Sequence, residues 1–212
     1  MNAGLSNLAT LKAWILPTAL AASTSYDAQI AAIGKGVASQ LEKHCNRKFL
    51  RTVGDTFEAN ADVRHEVLPR FPIEAITKIE TRYSLTDGWV DQGTVSDLVW
   101  NLSEQAGLVT FPIRPGYRFT RIRFTYTGGY FFETLEPTDM GYPTAVPSGS
   151  FALPDDLQLA WRLQCEHIWQ QHDKLGLSIG SKPDNVFTGA LAHAALLDVV
   201  KSQLAPFIRF AL

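Results

Sequence analysis

In the first part of the chain, apolar residues recur every three or four positions, which is the spacing of one face of an α-helix. The stretch 7–16 predicts a first helix that ends at Pro17, and Ser25 is placed to begin a second helix. The apolar stripe of this second helix comprises Ile30, Ile33, Val37, Leu41 and Cys45. Gly34 and Gly36 each cost a helix about 1 kcal/mol relative to alanine. They indicate that another backbone or side chain packs closely there, or that the helix is locally weak.

Between about residues 48 and 130, the spacing changes to the alternation that is typical of β-strands. In the stretch TRIRFTYTGGY, Ile122, Phe124 and Tyr126 alternate with polar residues, which predicts one buried and one solvent-facing side. The segments LVWNL and LVTFP flank Gly107, a residue suited to the turn of a hairpin. We therefore expect a small, mainly antiparallel β region.

A third long helix is predicted at Pro154, which suits a first helical turn because it has no N–H group to leave unpaired. Its apolar stripe comprises Leu157, Ala160, Trp161, Cys165, Ile168 and Trp169. A last helix is predicted from Thr188, and Pro206 bends or ends it. The segment between the β region and the third helix has no apolar period and contains three prolines.

These patterns predict an α+β protein, in which a helical bundle carries a β-rich insertion between its second and third long helices. Residues 1–47 and 154–212 would form the helical domain, residues 48–130 the β-rich insertion, and residues 131–153 a loop or linker. Loops of this length in a compact unit are usually functional or interfacial.

The composition excludes several classes of protein. Hydrophobic residues make up 46% and charged residues 19% of the 212 residues, which is enough to bury a core. The formal net charge is −2, so a surface for binding phosphates is not indicated. The start of the chain lacks the features of a signal peptide, and no apolar stretch approaches the ~18 residues of a membrane span. We expect assembly in the cytoplasm and no membrane contact.

Cys45 lies beside His44 and two residues before Arg47, a combination from which an activated thiolate could be built. However, Cys45 continues the buried stripe of the second helix, and adjacent helix positions point about 100° apart. A thiol in apolar surroundings is inert. We therefore predict that Cys45 and Cys165 are free, buried thiols, and a bridge between them would require their helices to pack together.

Two further motifs suggest an enzyme or a metal site but lack the required context. The stretch GLSIG matches the G-x-S-x-G nucleophile elbow, yet a predicted helix rather than a strand precedes Ser178. His167 and His172 lie about 140° apart on a helix and cannot chelate one ion from one face. We expect no catalytic residue, no metal and no cofactor, and a small hydrolase that uses Ser178 is an alternative.

A second alternative is a small nucleic-acid-binding module that uses Arg118, Arg121 and Arg123. A stacking site for single-stranded nucleic acid needs aromatic and basic side chains on the same face. The alternation of this strand instead places the aromatic side chains on the face opposite Arg121 and Arg123. The pattern therefore favours a buried core face over a binding platform.

The order of several short motifs resembles that of tailed-phage head-to-tail connector (adaptor) proteins. The end of the second helix, CNRKF, resembles their Y/H-C-x-R-x-F, and LPRFPIEAITKIE resembles L-P-x-x-P-I-x-x-I-x-x-I. WNLSEQAGLVTF is similar to the hairpin Y-x-L-D-x-x-x-G-x-I, and FTYTGGY to V-x-Y-x-A-G-Y. FALPDDLQLA and LAPFIRF resemble V-P-x-D-L-x-x-A and L-x-P-Y-R. The structural positions of these motifs include Cys45, Arg47, Phe49, Pro72, Tyr126, Gly129 and Pro154.

This resemblance implies a structural protein of the virion neck, without catalysis. Such connectors bind beneath the portal ring, usually as a dodecamer, extend the DNA channel and offer a platform for the stopper or tail-completion protein. DNA would be the content of the channel and would not be bound specifically. Arg47 would be structural and would hydrogen-bond the last helix carbonyls or pair with an acidic neighbour.

The last residues of the sequence are apolar, which is typical of an interaction surface when such side chains are exposed together. The candidate interface with the portal or a neighbouring subunit comprises Leu204, Pro206, Phe207, Ile208, Arg209, Phe210 and Leu212. Arginine and aromatic residues are common at interface anchors. The alternative is that this tail folds back onto its own chain, as terminal segments often do.

Overall fold

The computed structural model describes residues 3–92, 100–112, 115–132, 147–171 and 195–209. The chain divides into two compact units, each of which draws on segments that are distant in the sequence. The first unit comprises Met1–Cys45, Phe132–Ala145 and Leu153–Ile208. The second unit comprises Asn46–Phe131, Val146–Ala152 and Arg209–Leu212.

The predicted helical bundle is wrong, because the fold is a β-rich α+β fold. Among the described residues there are five helices: α1 (Leu8–Ile15), α2 (Thr18–Ala21), α3 (Asp27–Cys45), α4 (Asp155–Gln170) and α5 (Asp198–Leu204). Of these, α3 and α4 are long, with 19 and 16 residues. Pro17 ends α1, and the helix that follows has four residues. Helices this short bury too little surface to form the long bundle that the apolar spacing suggested.

The apolar stripe predicted for α3 is confirmed, and that of α4 is confirmed except at Trp169, which is half-buried. All five stripe residues of α3 are buried, and on α4 the residues Leu157, Ala160, Trp161, Cys165 and Ile168 are buried. The prediction missed Gln164, which is also fully buried on α4. Its side-chain Nε2 donates to the carbonyl of Ala195, and its Oε1 accepts from the N–H of Leu197, both at 3.0 Å. Gln164 thereby fixes the segment that enters α5.

The close approach predicted at Gly34 is confirmed. The Trp161 indole Nε1 donates to the Gly34 carbonyl at 3.0 Å. A Cβ atom added at Gly34 would lie 2.1 Å from the carbonyl oxygen of Ala3 and 2.8 Å from a methyl carbon of Leu11. Around Gly36, by contrast, no atom lies within 4 Å of the corresponding position. Only the first of the two glycines is therefore required by packing.

The second unit contains nine strands among the described residues. These are β1 (Thr52–Asn60), β2 (His65–Val67), β3 (Ile73–Arg82), β4 (Val90–Asp91), β5 (Asn101–Ser103), β6 (Leu108–Thr110), β7 (Arg121–Gly128), β8 (Tyr130–Phe131) and β9 (Phe151–Ala152). A four-stranded antiparallel sheet has the order β1-β7-β3-β4, and a three-stranded antiparallel sheet has the order β2-β6-β5. Strands β8 and β9 form a parallel pair.

The alternation predicted for β7 is confirmed, because Ile122, Phe124 and Tyr126 are buried. Phe124 lies in register with Phe57 on β1 and with Ile79 on β3, so the apolar faces of three strands meet. The predicted hairpin around Gly107 forms between β5 and β6, and Gly107 has a φ of +64°, which favours glycine.

The segment 131–153, predicted as a loop or linker, contains short strand pairing at its described ends. Tyr130 and Phe131 pair with Phe151 and Ala152. The sequence did not predict this pair because a two-residue strand is too short to show an apolar period.

No helix in the described part of the chain is long and apolar enough to cross a membrane.

We expect Gly34→Ala to destabilise the protein by about 1–3 kcal/mol, because the new methyl group meets backbone that cannot move aside easily. Gly36→Ala is the matched control, and it should stabilise α3 by about 0.5–1 kcal/mol, since alanine is the better helix former. Urea unfolding of the two variants measures both changes. Equal effects of the two substitutions would contradict the packing described at Gly34.

Candidate assembly sites around Arg47 and Arg209

Arg47 is buried at the centre of an aromatic cluster in the second unit. Its guanidinium carbon lies 3.4 Å from the ring centroid of Phe71, 5.2 Å from that of Phe49 and 5.3 Å from that of Tyr130. Its Nη2 donates a hydrogen bond to the Phe71 carbonyl. Asn46 has a φ of +51°, a left-handed conformation that ends α3 and turns the chain toward this site. We call these four side chains, Arg47, Phe49, Phe71 and Tyr130, the Arg47 cluster.

The stacking explains how a permanent charge is accommodated inside the unit. Burial of a charge is unfavourable unless other groups replace its water. Each cation–π contact contributes about 0.5–2 kcal/mol, with the larger values in desolvated sites. The Arg47 Nη2 donates to the Phe71 carbonyl, and its bonding to helix carbonyls or an acidic residue stays a prediction. A planar guanidinium can stack on an aromatic ring and donate hydrogen bonds in its own plane at the same time. The compact ammonium group of a lysine cannot stack in this way.

Three of the motifs that carry the resemblance meet at this cluster. The N–H of Gly129 donates to the Pro72 carbonyl at 2.8 Å, and the N–H of Tyr130 donates to the Phe49 carbonyl at 2.7 Å. Gly129 has a φ of +95°, and a Cβ there would lie 2.8 Å from the carbonyl oxygen of Leu50. The motifs at residues 45–49, 68–73 and 124–130 are therefore neighbours in space.

Two ion pairs join residues next to β1 and β3 to residues within these strands. Arg51 donates two hydrogen bonds to the Glu74 carboxylate, at 2.6 and 2.8 Å, and this hydrogen bonding to Glu74 raises the pKa of Arg51. Arg70 Nε pairs with Asp55 at 2.7 Å, and the Arg70 N–H donates to the Tyr126 hydroxyl at 3.2 Å. Burial raises the pKa of Tyr126 above its ordinary value. Tyr126 is thus a neutral core residue whose hydroxyl is engaged.

The cysteines lie where the stripes placed them. Both Cys45 and Cys165 are buried and free of disulfides. Burial raises the pKa of the Cys165 thiol.

Pro154 precedes α4 in an extended conformation and occupies the N-cap position. It therefore lies one residue before the first helical turn, in which the sequence predicted it.

Arg209, from the candidate tail interface, contacts three residues of the second unit. Its Nε donates to the carbonyl of Val67 on β2 at 2.9 Å, and its Nη2 lies 3.6 Å from a Glu66 carboxylate oxygen. The guanidinium also lies 5.7 Å from the ring centroid of Phe57. Arg209 thus contacts strands of its own chain, which favours the fold-back alternative for this residue.

The other tail residues differ in exposure. Leu204 is buried in α5, Pro206 is exposed, and Phe207 and Ile208 are half-buried. Phe210 and Leu212 lie outside the described residues. The interface hypothesis therefore applies to the residues around Arg209 rather than to Leu204, which packs in its own unit.

The arginines of the nucleic-acid alternative do not form a basic stacking platform. Arg123 Nε pairs with Glu80 at 2.8 Å, and hydrogen bonds from Arg123 and Lys78 lower the pKa of Glu80. Arg118 is exposed and Arg121 half-buried, while the aromatic residues of β7 are buried on the other face. The charge of Arg123 is neutralised within the sheet, and the geometry does not favour this alternative.

The hydrolase and metal-site alternatives depend mainly on residues that the structure does not describe. Ser178, His172 and His193 lie outside the described residues. Within residues 3–92, 100–112, 115–132, 147–171 and 195–209, no group of three or more His, Cys, Asp or Glu side chains could hold a metal ion.

The sequence did not predict the role of Phe71 in the Arg47 cluster. The one signal for Phe71 was its position between the two prolines of the LPRFPI motif.

Comparison with known proteins finds similarity in structure only. No family model matches the sequence, and no curated protein matches it. A chain in the structure titled "Neck of empty GTA particle computed with C6 symmetry" matches 98% of this chain and 91% of its own length, with a TM-score of 0.53 and 13% identity. A chain in the virion of a native gene transfer agent (GTA) particle matches over the same shares, with a TM-score of 0.54 and 16% identity.

These likenesses establish the fold over nearly the whole chain. The resemblance to head-to-tail connectors is confirmed at this level, since the similar structures come from a phage-like particle, one of them from its neck. Their source agrees with the predicted location in the neck of a virion.

We expect Arg47→Lys to destabilise the protein by about 1–3 kcal/mol, since lysine retains the charge but loses the stack on Phe71. Arg64→Lys is the matched control, because Arg64 is exposed between β1 and β2, and it should change stability by less than about 0.5 kcal/mol. Urea unfolding compares the two. A neutral Arg47→Lys would contradict the structural role of the cluster.

The pair of Arg209 and Glu66 predicts a pH dependence. Burial raises the pKa of Glu66, while the charge of Arg209 partly lowers it. The pKa of Glu66 is therefore higher in the folded than in the unfolded protein. Ionisation of this carboxyl lowers the free energy of unfolding as the pH rises from about 4 through the folded-state pKa. Arg209→Met should raise the pKa of Glu66 further and deepen that loss, as measured by carboxyl NMR and by urea unfolding between pH 3.5 and 7. In the Glu66→Gln background, Arg209→Met should not change the pH profile, and an unchanged Glu66 pKa would refute the pairing.

Proposed function

We propose that this chain is a structural virion protein that acts as a head-to-tail connector (adaptor). It binds beneath the portal ring, extends the DNA channel and provides a platform for the stopper or tail. The observation that carries this proposal is the shared fold over 98% of the chain with structures from a gene transfer agent particle. The order of the connector-like motifs, three of which meet around Arg47, supports it independently.

The proposed partners are the portal protein, the stopper or tail-completion protein, and further copies of this chain. A ring of copies is supported by the symmetry named for one of the similar structures, C6, which a dodecamer contains. DNA passes through the channel without specific binding. The near-neutral net charge of −2 and the pairing of Arg123 with Glu80 suit a surface along which DNA must slide. Assembly takes place in the host cytoplasm, and no catalytic step is required.

The tail remains our proposed contact with the portal or a neighbouring copy. Because Arg209 is anchored on β2, the residues that follow it begin from a fixed point. Phe210 and Leu212 are the apolar side chains beyond that anchor. Removing only residues 210–212 therefore tests the interface without disturbing the contacts of Arg209.

The test is co-sedimentation of the purified full chain with capsids that bear their own portal. We expect saturable binding at about one ring of copies per portal vertex and none to capsids that lack the portal. The chain without residues 210–212 should keep its melting temperature and lose binding. Absence of portal-dependent binding by the full chain would refute the proposed function. Full-strength binding by the shortened chain would refute the tail interface alone.

A further inference from the structure

The end of the β3–β4 hairpin exposes large apolar side chains. Tyr83, Leu85 and Val90 are 54%, 66% and 47% exposed. Leu85 lies at the tip of the turn, where the Ser84 N–H donates to the Asp87 carboxylate at 2.9 Å, and Val90 lies on β4. A large apolar side chain exposed on a hydrogen-bonded turn is available for contact with a partner.

Trp89 and Arg82 extend this surface with the side chains most common at binding hot spots. The Arg82 guanidinium lies 4.7 Å from the Trp89 ring centroid, and that of Arg123 lies 4.4 Å from it. Arg123 is paired with Glu80, whereas no ion pair among the described residues includes Arg82. Within the described part, the Arg82 Nε is also buried without a hydrogen-bond partner. We call Arg82, Leu85 and Trp89 the hairpin-end patch; the ring of Tyr83 instead lies 5.2 Å from that of the core residue Phe119, and Val90 is in register with the buried Thr81.

A complementary partner must supply apolar contact together with negative charge. Such a surface occurs at the start of α4, where Asp155 and Asp156 are exposed and Leu159 is 43% exposed. Residues three and four apart lie on one face of a helix, so Leu159 is next to both carboxylates. The described structure contains no ion pair that engages either carboxylate. The opposite side of α4, including Leu157 and Ala160, is buried in its own unit.

We propose that the hairpin-end patch of one copy binds the face formed by Asp155, Asp156 and Leu159 on a second copy of this chain. Arg82 pairs with these carboxylates, and Leu85 and Trp89 pack against Leu159. The two surfaces differ, so the contact is head-to-tail, the kind that closes into a ring when its rotation permits. This inference rests on the proposed function, since it names the surfaces through which the copies in that ring touch.

Charge reversal tests the contact on the full chain. Arg82→Glu and the double change Asp155→Arg with Asp156→Arg each place like charges across the contact. Binding to portal-bearing capsids is measured as a function of the concentration of the chain. We expect each variant to need at least about tenfold more protein for half-saturation and to lose the steep, cooperative rise in binding. Combining the two changes restores the opposite charges and should bring half-saturation back to within about threefold of the original chain.

Val53→Asp is the control, because Val53 is 68% exposed on β1 and lies outside the patch. It should leave the binding curve unchanged. Circular dichroism and melting temperature establish that each variant is folded. If Arg82→Glu does not fold, Leu85→Asp at the tip of the turn replaces it and should weaken cooperative binding to the same extent.

The outcomes separate this inference from the proposed function. If the original chain does not bind portal-bearing capsids, both fail. If it binds and the reversed variants bind with the same cooperativity, the proposed function stands and this contact is refuted. If both reversals weaken binding but their combination does not restore it, the two surfaces bind different partners, and the contact between copies is refuted.

Discussion

The burial of one guanidinium, that of Arg47, is the constraint on which the second unit depends. A charge withdrawn from water must have its hydration replaced, and here three aromatic rings and the Phe71 carbonyl replace it. These groups come from the chain just after α3, from the approach to β3 and from the end of β7. They can surround Arg47 only when all three segments are in place.

A comparable contact organises the first unit. The absence of a side chain at Gly34 lets the backbone near Ala3 and the side chain of Leu11 approach α3, and the Gly34 carbonyl accepts from Trp161 of α4. Gln164 then fixes the chain at the start of α5 through two backbone groups. Each unit is thus held by groups that leave little room for substitution. Within each unit, the exposed side chains are therefore presented on a fixed framework.

Much of the local structure could be predicted from the sequence, because burial imposes a period on it. The apolar stripe of α3 and the alternation of Ile122, Phe124 and Tyr126 on β7 each follow the buried face of their element. The share of helix could not be predicted, since periodicity marks a buried face but not how many helices pack together. The roles of Phe71 and Gln164 were also missed. An aromatic residue between prolines and a glutamine in a helix have many possible environments, and only the fold selects one.

The candidate sites, like the local structure, could be predicted from the sequence only in part. Resemblance placed Arg47, Phe49 and Gly129 among the structural positions, and in the structure these residues lie close together. The partner of Arg209 could not be foreseen, because β2 lies more than 140 residues earlier in the chain. The hairpin-end patch had no sequence signal, since its side chains come from the end of β3 and from the turn that follows, where no apolar period applies.

Electron cryomicroscopy of portal-bearing capsids, before and after addition of the purified chain, tests the central claim most directly. The account predicts new ring-shaped density beneath the portal, continuous with its channel, into which copies of the two units fit. Absence of added density at the portal vertex, or density bound elsewhere on the capsid, would contradict it.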